Sequence, residues 1–395
     1  MNRPGAVVEP PPARRLRAIS RRLLSWFSRH ARSMEWRETS DPYRIWVSEI
    51  MLQQTRVETV APYYRRFLDA FPTVEALAAA SPGAVMKAWE GLGYYARARN
   101  LHEAAGIVVR ERGGRIPETV GELVSLPGVG RSTAGAIAAL AFGRDEPILD
   151  ANAKRVLARL VALEEDPSAS TGSKLLWEVS AGLVAPGTGR KTALALMDLG
   201  ATVCLPRAPR CGTCPLATLC EGYRRGIAER IPAKRTGKRI PRRTAAAALI
   251  FDGRGRVFID RRPPEGLLGG MWEFPGGEVP DGATPGDWLV RRIRERWGMA
   301  ISAPEELPAV RHAYSHFAVT LLPFRARRRA GAPPNGAEWA WALPEELGRY
   351  PFPGLFRKLI AGVFPETGSA TAPPGASRSS SRAPARRRRG GRIPS

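Results

Sequence analysis

Two carboxylates and four thiols in this chain sit at spacings that could do chemistry. Glu49 interrupts the apolar run Trp46-Val47-Ser48-Glu49-Ile50-Met51. On the polar face of a helix it would be an ordinary solvated acid. On a buried face, loss of solvent favours the neutral carboxyl and raises its pKa, which is what a proton donor near neutral pH needs. Asp150 opens the helical stretch from Ala151 and has the position of an N-cap. A capping Asp is held anionic and fixed, so a cap and an electrostatic role are compatible. Cys204, Cys211, Cys214 and Cys220 fall in the order C-x6-C-x2-C-x5-C, within 17 residues. In a reducing compartment thiols persist as thiols, which leaves zinc or an iron–sulfur cluster, both bound by thiolates. Paired C-x2-C knuckles would mark a structural zinc site; only Cys211 and Cys214 form one.

Those residues need scaffolds, and the composition bounds them. The chain has 395 residues, 44% of them hydrophobic, and a net charge of +24. Its length predicts two or three domains. No apolar run reaches the ~18 residues of a membrane span, and Met1 to Arg15 has no signal-peptide core. A soluble cytoplasmic protein, not associated with a membrane, is expected. The tail from Thr367 carries seven Arg and no acid, and setting those seven aside leaves +17. An excess of that size in the folded part points to a polyanionic partner such as nucleic acid, with a merely solvated basic surface as the plainer reading.

The texture changes once along the chain. Residues 1–13 and 366–395 are low-complexity tails, expected to be disordered. From 14 to 223 the pattern is helical, with Leu16, Ile19, Leu23, Leu24 and Phe27 at helical spacing. Asp41-Pro42 marks a helix start, and further helices are predicted near 57–70, 84–91, 95–112, 118–125, 131–142, 151–163, 173–184 and 190–203. No strand is predicted there. Residues 224–243 form a basic linker. From 244 to 365 the texture is α+β: a hairpin over 247–260 with a Gly turn, a helix near 285–297, a strand over 316–325 and a closing helix over 352–363.

Leu126-Pro127-Gly128-Val129-Gly130-Arg131-Ser132-Thr133-Ala134 lies between two helical stretches. Gly128 and Gly130 permit a tight turn with close backbone approach, and amides at such a helix start can hold a phosphate without reading a base. An ordinary αα turn is the alternative. This segment resembles the helix-hairpin-helix motif of the base-excision glycosylases. Pro147-Ile148-Leu149-Asp150 is similar to the loop and catalytic Asp of that superfamily. Trp46 to Thr55 is similar to the active-site helix of the adenine-specific members, and the resemblance extends over about residues 14–365.

The resemblance implies roles. Glu49 would protonate the adenine ring nitrogen N7. Asp150 would stabilise the oxocarbenium-like sugar, with Asn152 in support, following the two-carboxylate logic of glycoside cleavage. Ser132 stands where bifunctional relatives carry a nucleophilic Lys, and Lys154 reads as a surface or phosphate-facing charge, so a monofunctional enzyme using water is implied. A base inside a duplex must be flipped out. Gln54, Thr55, Leu92 and Tyr94 match residues that wedge into the helix or contact the opposite base, and Arg37 matches a pocket residue. The cysteine spacing resembles the 4Fe-4S loop of endonuclease III-like glycosylases, and its Arg207 and Arg210 would face DNA.

Gly277, Arg291, Ile293, Glu295, Gly298 and Met299 fall at the spacing of the Nudix hydrolase box. Its other acids are replaced by Ala283, Arg292 and Arg296, and one carboxylate beside Arg cannot make a Mg²⁺ site. The resemblance therefore implies a module that recognises the base opposite adenine. Its reading loop would be His312-Ala313-Tyr314-Ser315-His316-Phe317, with Ser315 and His316 as contacts.

The expected molecule is an all-α glycosylase domain with an iron–sulfur loop, joined to a Nudix-like α+β domain. It acts as a monomer on double-stranded DNA and removes adenine mispaired with 8-oxoguanine or guanine. The competing readings are an endonuclease III-like lyase, a Nudix pyrophosphohydrolase with a DNA-binding appendage, and a non-catalytic DNA-binding protein. Ser132, the lost acids, and the Glu49–Asp150 pair, respectively, speak against them.

Overall fold

The structure, a computed structural model, describes residues 9–233, 240–314, 316–333 and 338–365. Ser315, most of both tails and the middle of the basic linker lie outside the described residues. Among the described residues, helices fill the span from Ala13 to Arg224 and strands begin at Arg242. No helix is long and apolar enough to cross a membrane.

The helical part has two cores. One is built by residues from Met34 to Ala138. The other joins the first helix, Ala13–His30, to residues from Ala136 to Ile231. The chain thus begins in the second lobe, builds the first, and returns. The helix Arg131–Phe142 serves both: Ala134, Ile137 and Ala138 face the first core, while Ala136, Ala139 and Leu140 face the second. A helix apolar on every side must be buried on every side, so this one forms the wall between the lobes. Its close fit depends on Gly135, where a Cβ would lie 2.5 Å from the carbonyl oxygen of Pro147.

Local chemistry sets the helix ends. Asp41 accepts hydrogen bonds from the amides of Tyr43 (2.9 Å) and Arg44 (3.1 Å), and Pro42 fills the first helical position of Pro42–Leu52. The helix predicted to run to Gly91 stops at Trp89, because Gly91 has φ +98°. The short helix Val74–Ala79, capped by the Thr73 hydroxyl, was not expected. Its six residues are too few to give a clear period.

The C-terminal module is a mixed sheet between two helices. Its strands are β1 (Arg242–Phe251), β2 (Val257–Arg261), β3 (Trp272–Glu273), β4 (Gly276–Glu278), β5 (Ala300–Ile301), β6 (Glu305–Glu306), β7 (Val310–Ala313), β8 (Ala318–Ala330) and β9 (Trp339–Ala342). The central path is β3-β2-β1-β8-β5, with β4 on β1, β9 on β2, and β6 and β7 on β8. β1 and β8 run parallel over ten residue pairs, which draws β8 beyond the predicted end at 325. Alternation along β1 sends Ala247 and Leu249 toward the Gly354–Val363 helix, and Ala246, Ala248 and Ile250 toward Pro285–Trp297.

Candidate active site and its supports

The site forms where the two lobes meet. A cavity of about 410 Å³ is lined from one side by Glu49, Gln53, Thr55 and Ser132, and from the other by Asp150 and Asn152. The helix Pro42–Leu52 is apolar around Glu49, with Trp46, Val47 and Ile50 in the core. Glu49 is therefore carried to the cavity wall on an otherwise buried segment. Burial, then the charge of Asp150, push its pKa up to about 7, and Arg37 only partly opposes this. Among the described residues no hydrogen bond to its carboxyl offsets the loss of water.

Asp150 caps the helix Ala151–Leu160 and accepts from the amide of Ala153 at 2.7 Å. Burial raises its pKa, opposed by bonds from Ala153 and Asn152 and by the charge of Arg155. Both acids are raised, and hydrogen bonding decides their order. Asp150 has donors that stabilise its anion and Glu49 has none, so Asp150 ionises first. The cavity thus holds two raised carboxyls, one without donors and one whose anion is met by hydrogen bonds. Asn152 donates to Asp150 at 3.3 Å and accepts from Arg155 at 2.8 Å. Gly200 lets the neighbouring helix approach, since a Cβ there would fall 2.5 Å from Asn152 Cβ.

Ser132 lines the cavity, and its hydroxyl accepts from the amide of Leu149 at 3.1 Å, tying the hairpin to the segment before Asp150. The turn places Gly128 at φ +77°, with Asn100 packed behind it. Gly130 has an ordinary φ of −85° and open space where a Cβ would be. Close approach from outside, rather than strain, is what glycine permits there. The Arg131–Phe142 helix has no side-chain cap, so its first amides remain available to an anion.

Arg37 is held by Asp198, with both nitrogens at 2.9 Å from its two oxygens. Arg32 adds a bond at 2.6 Å. Burial alone would raise the Asp198 carboxyl, but the two guanidinium groups hold it below the usual range. Sequence reading missed Asp198, which lies 161 positions from Arg37 and looks like a helix-interior acid.

Arg97 was also missed. It is 9% exposed and donates to the carbonyls of Ile50 (2.9 Å), Met51 (2.8 Å) and Gln53 (2.6 Å), to the Thr55 hydroxyl (3.1 Å) and to the carbonyl of Gly93 (3.1 Å). It thus satisfies the C-terminal carbonyls of the Glu49 helix and pins two irregular backbones, Gln54 at φ +57° and Tyr94 at φ +49°. Of the four residues expected to wedge into the helix or contact the opposite base, Thr55 and Tyr94 contact this arginine, and Gln54 follows the Gln53 carbonyl that it binds. Leu92 does not join them: at 6% exposed it belongs to the lobe core. It packs under the loop and leaves the outward position to Tyr94.

The four thiols are free and line one pocket together with Arg159. Arg159 is 1% exposed and donates to the carbonyls of Ile231 (2.8 Å) and Leu205 (2.6 Å) and to Cys204 Sγ (3.2 Å). Burial pushes the Cys211 and Cys220 thiols up, and Cys214 up to about 12. Such thiols are neutral by themselves, and a polycation would be needed to make them thiolates. No three His, Cys, Asp or Glu side chains among the described residues converge as donors to a single ion. Four thiols on one pocket are the donor type that thiolate-bound metal centres use. Arg155 bridges this loop to the acid site, donating to the carbonyls of Cys204 (2.8 Å) and Gly200 (2.7 Å) and to Asn152.

In the C-terminal module Arg296 pairs with Asp260 at 3.1 Å and lies over the Trp297 ring, while Glu295 is exposed. The Tyr314 amide donates to the Phe317 carbonyl at 2.8 Å, and His316 is exposed. His312 stacks edge-on against Tyr314 at 4.5 Å.

Comparison with known proteins agrees with this geometry. A profile described as HhH-GPD superfamily base excision DNA repair protein matches residues 47–181, and one described as NUDIX domain matches residues 246–362. An adenine DNA glycosylase of Rattus norvegicus is 34% identical, covering 82% of this chain and 73% of that one. The chain belongs to the adenine DNA glycosylase family. The family's Homo sapiens member is also 34% identical, covering 80% and 69%. That of Mycolicibacterium smegmatis is 43% identical over 49% of this chain and 66% of its own. Among solved structures, a thermostable thymine-DNA glycosylase is 32% identical, with a TM-score of 0.48, over 54% of this chain and 98% of that one.

Proposed function

We propose that this adenine DNA glycosylase family member flips adenine out of mispairs with 8-oxoguanine or guanine in double-stranded DNA and hydrolyses its glycosidic bond, initiating base excision repair. The observation that carries the reading is the pair of carboxyls on one cavity, with Glu49 raised to about 7 by burial and Asp150 accepting hydrogen bonds that favour its anion. Glu49 delivers its proton to N7 of adenine, which makes the base a neutral leaving group. Asp150 faces the positive charge that grows on the sugar. Water completes the substitution, because Ser132 occupies the position from which a lysine amine would attack. Arg37 and the apolar cavity wall bound the base, while Gln54, Thr55 and Tyr94 occupy the gap it leaves. The hairpin amides beside Gly128 and Gly130 hold the backbone.

The test is a duplex panel: A opposite 8-oxoguanine, A opposite G, and oxidised pyrimidines, with base release and strand scission scored separately. Adenine should be released from the first two, leaving an abasic strand that stays intact until alkali or heat is applied. Strand scission without alkali, or a borohydride-trapped enzyme–DNA adduct in high yield, would remove the monofunctional assignment.

Cys204, Cys211, Cys214 and Cys220 would hold a 4Fe-4S cluster that folds the loop and presents Arg207 and Arg210 to phosphates. Purified protein should be yellow-brown with about four irons per chain, the content of the 4Fe-4S cluster that the cysteine spacing resembles. Colourless protein with stoichiometric zinc contradicts the assignment. Cys214→Ser should impair folding or DNA binding before it affects chemistry. The C-terminal module reads the opposite base through Ser315 and His316. Met271 of this module is fully buried in the first lobe's core, which supports the two domains acting as a docked pair.

A further inference from the structure

The loop that carries Tyr94 is gripped at both ends by the C-terminal module. Glu90 follows the helix Pro82–Trp89 directly and is 8% exposed. One of its oxygens accepts from the backbone amide of Phe352 at 2.9 Å, across the domain boundary. The other accepts from Lys87 at 2.6 Å and lies 4.0 Å from Arg357 of the module. Lys87 also reaches the Tyr350 carbonyl at 3.5 Å. The next residue, Gly91, is pressed between domains: a Cβ there would lie 2.3 Å from the Tyr63 hydroxyl and 3.3 Å from the Arg357 guanidinium. Beyond the loop, Arg99 donates to the Gly269 carbonyl at 3.0 Å, and Leu268 and Met271 beside it pack into the helical core.

Between these ties the backbone is held in conformations that need support. Gly91 and Gly93 have φ of +98° and +79°, and Tyr94, which is not glycine, has φ +49°. A left-handed tyrosine persists only where its surroundings over-determine it. Arg97 supplies that constraint from the helical domain. The module supplies it through the Phe352 amide, which bonds Glu90, and the Gly269 carbonyl, which bonds Arg99. Apolar docking alone would not place a carboxylate in the interface, since a buried carboxylate is costly unless donors meet it. Lys87 of Glu90's own helix meets one oxygen, but the donor to the other is the module's main chain, so that oxygen is satisfied only while the module is seated.

We propose that Glu90 is a positioning residue that couples the C-terminal module to the Tyr94 loop, so that the module's seating over the opposite base sets the pose of Tyr94 and contributes to selectivity for that base. The coupling rests on the reading that the module recognises the base opposite adenine.

The test uses the full-length protein and compares single-turnover adenine release opposite 8-oxoguanine and opposite G at one salt concentration. Glu90→Ala should lower the ratio of the two rates by about tenfold, the scale of a buried charge-assisted hydrogen bond left unmade. Glu90→Gln keeps an acceptor for the Phe352 amide and should restore most of the ratio, which a general loss of packing would not permit. In a Tyr94→Ala background, Glu90→Ala should change the ratio no further. Arg99→Ala breaks the other grip at a less buried site and should act in the same direction, which keeps the test available if Glu90→Ala does not fold. Ser315→Ala and His316→Ala separate the two levels of the argument. If they lower the ratio while the Glu90 and Arg99 variants leave it unchanged, the coupling is wrong and the module's reading role stands. If none of them changes it, that role has failed and the coupling falls with it. Equal losses opposite both bases in Glu90→Ala, with the ratio preserved, also overturn the proposal.

Discussion

Glu49→Gln should lower adenine release by at least ~100-fold, the usual contribution of a positioned acid–base group, while affinity for the mispaired duplex is kept. The substitution preserves shape and can still donate a hydrogen bond, but it cannot transfer a proton. Glu49 sits on a wall formed by Trp46, Val47 and Ile50, and its carboxyl makes no hydrogen bond that the amide would lose, so the fold should tolerate the change. Single-turnover release and duplex binding, measured on the same preparation, check both halves. Release within a few-fold of wild type would remove Glu49 from the role of acid. A parallel loss of binding would mean that it holds DNA instead.

Arg97→Leu should be among the most destabilising single substitutions in the helical domain, by about 3–5 kcal/mol, the scale for breaking a buried charged network. The side chain answers three carbonyls at the end of the Glu49 helix as well as Gly93 and Thr55. Leucine would leave these acceptors buried and unpaired. Burial draws the guanidinium pKa down to about 10, so Arg97 remains charged throughout the neutral range and its contribution should not titrate there. Thermal unfolding checks the size, and a fall in Tm of roughly 10 °C is expected for a domain of this length. Arg97→Lys should recover only part of it, because an ammonium cannot span the same fork of acceptors. A variant that melts with the wild type would show that these carbonyls find other partners.

What the sequence disclosed and what it withheld follow a physical division. Glu49, Asp150, the hairpin and the cysteine spacing were legible because each is a local pattern: an acid in an apolar run, a cap, a glycine turn, a thiol ladder. The helix Pro285–Trp297 matches its predicted range for the same reason, being amphipathic and bounded by Thr284-Pro285 and by Gly298 at φ +63°. The strands of two to four residues were not legible, since pairing rather than propensity forms them; β3 exists only opposite Asp260 and Arg261. The supporting arginines were hidden by distance along the chain. Arg97 acts on carbonyls 44 to 47 positions away, Arg159 on one 72 positions away, and Glu90 on an amide 262 positions away. Their partners are main-chain atoms, which carry no sequence signal. Leu92, matched by resemblance to residues that wedge into the helix or contact the opposite base, is packed in the core at 6% exposed in this structure.

The central claim is that a neutral Glu49 and an anionic Asp150 act together. Its most direct test is the pH dependence of kcat/KM for adenine release opposite 8-oxoguanine, which reports the free enzyme's groups. Glu49 works as the protonated form and its pKa is raised to about 7, so the rate should fall as pH rises through about 7. Asp150 works as the anion and ionises first, so the rate should fall again on the acid side as that carboxyl gains its proton. A bell with its alkaline limb near 7, and loss of that limb in Glu49→Gln, is the predicted result. A profile flat from pH 5 to 9, or an alkaline limb that survives in Glu49→Gln, would contradict it.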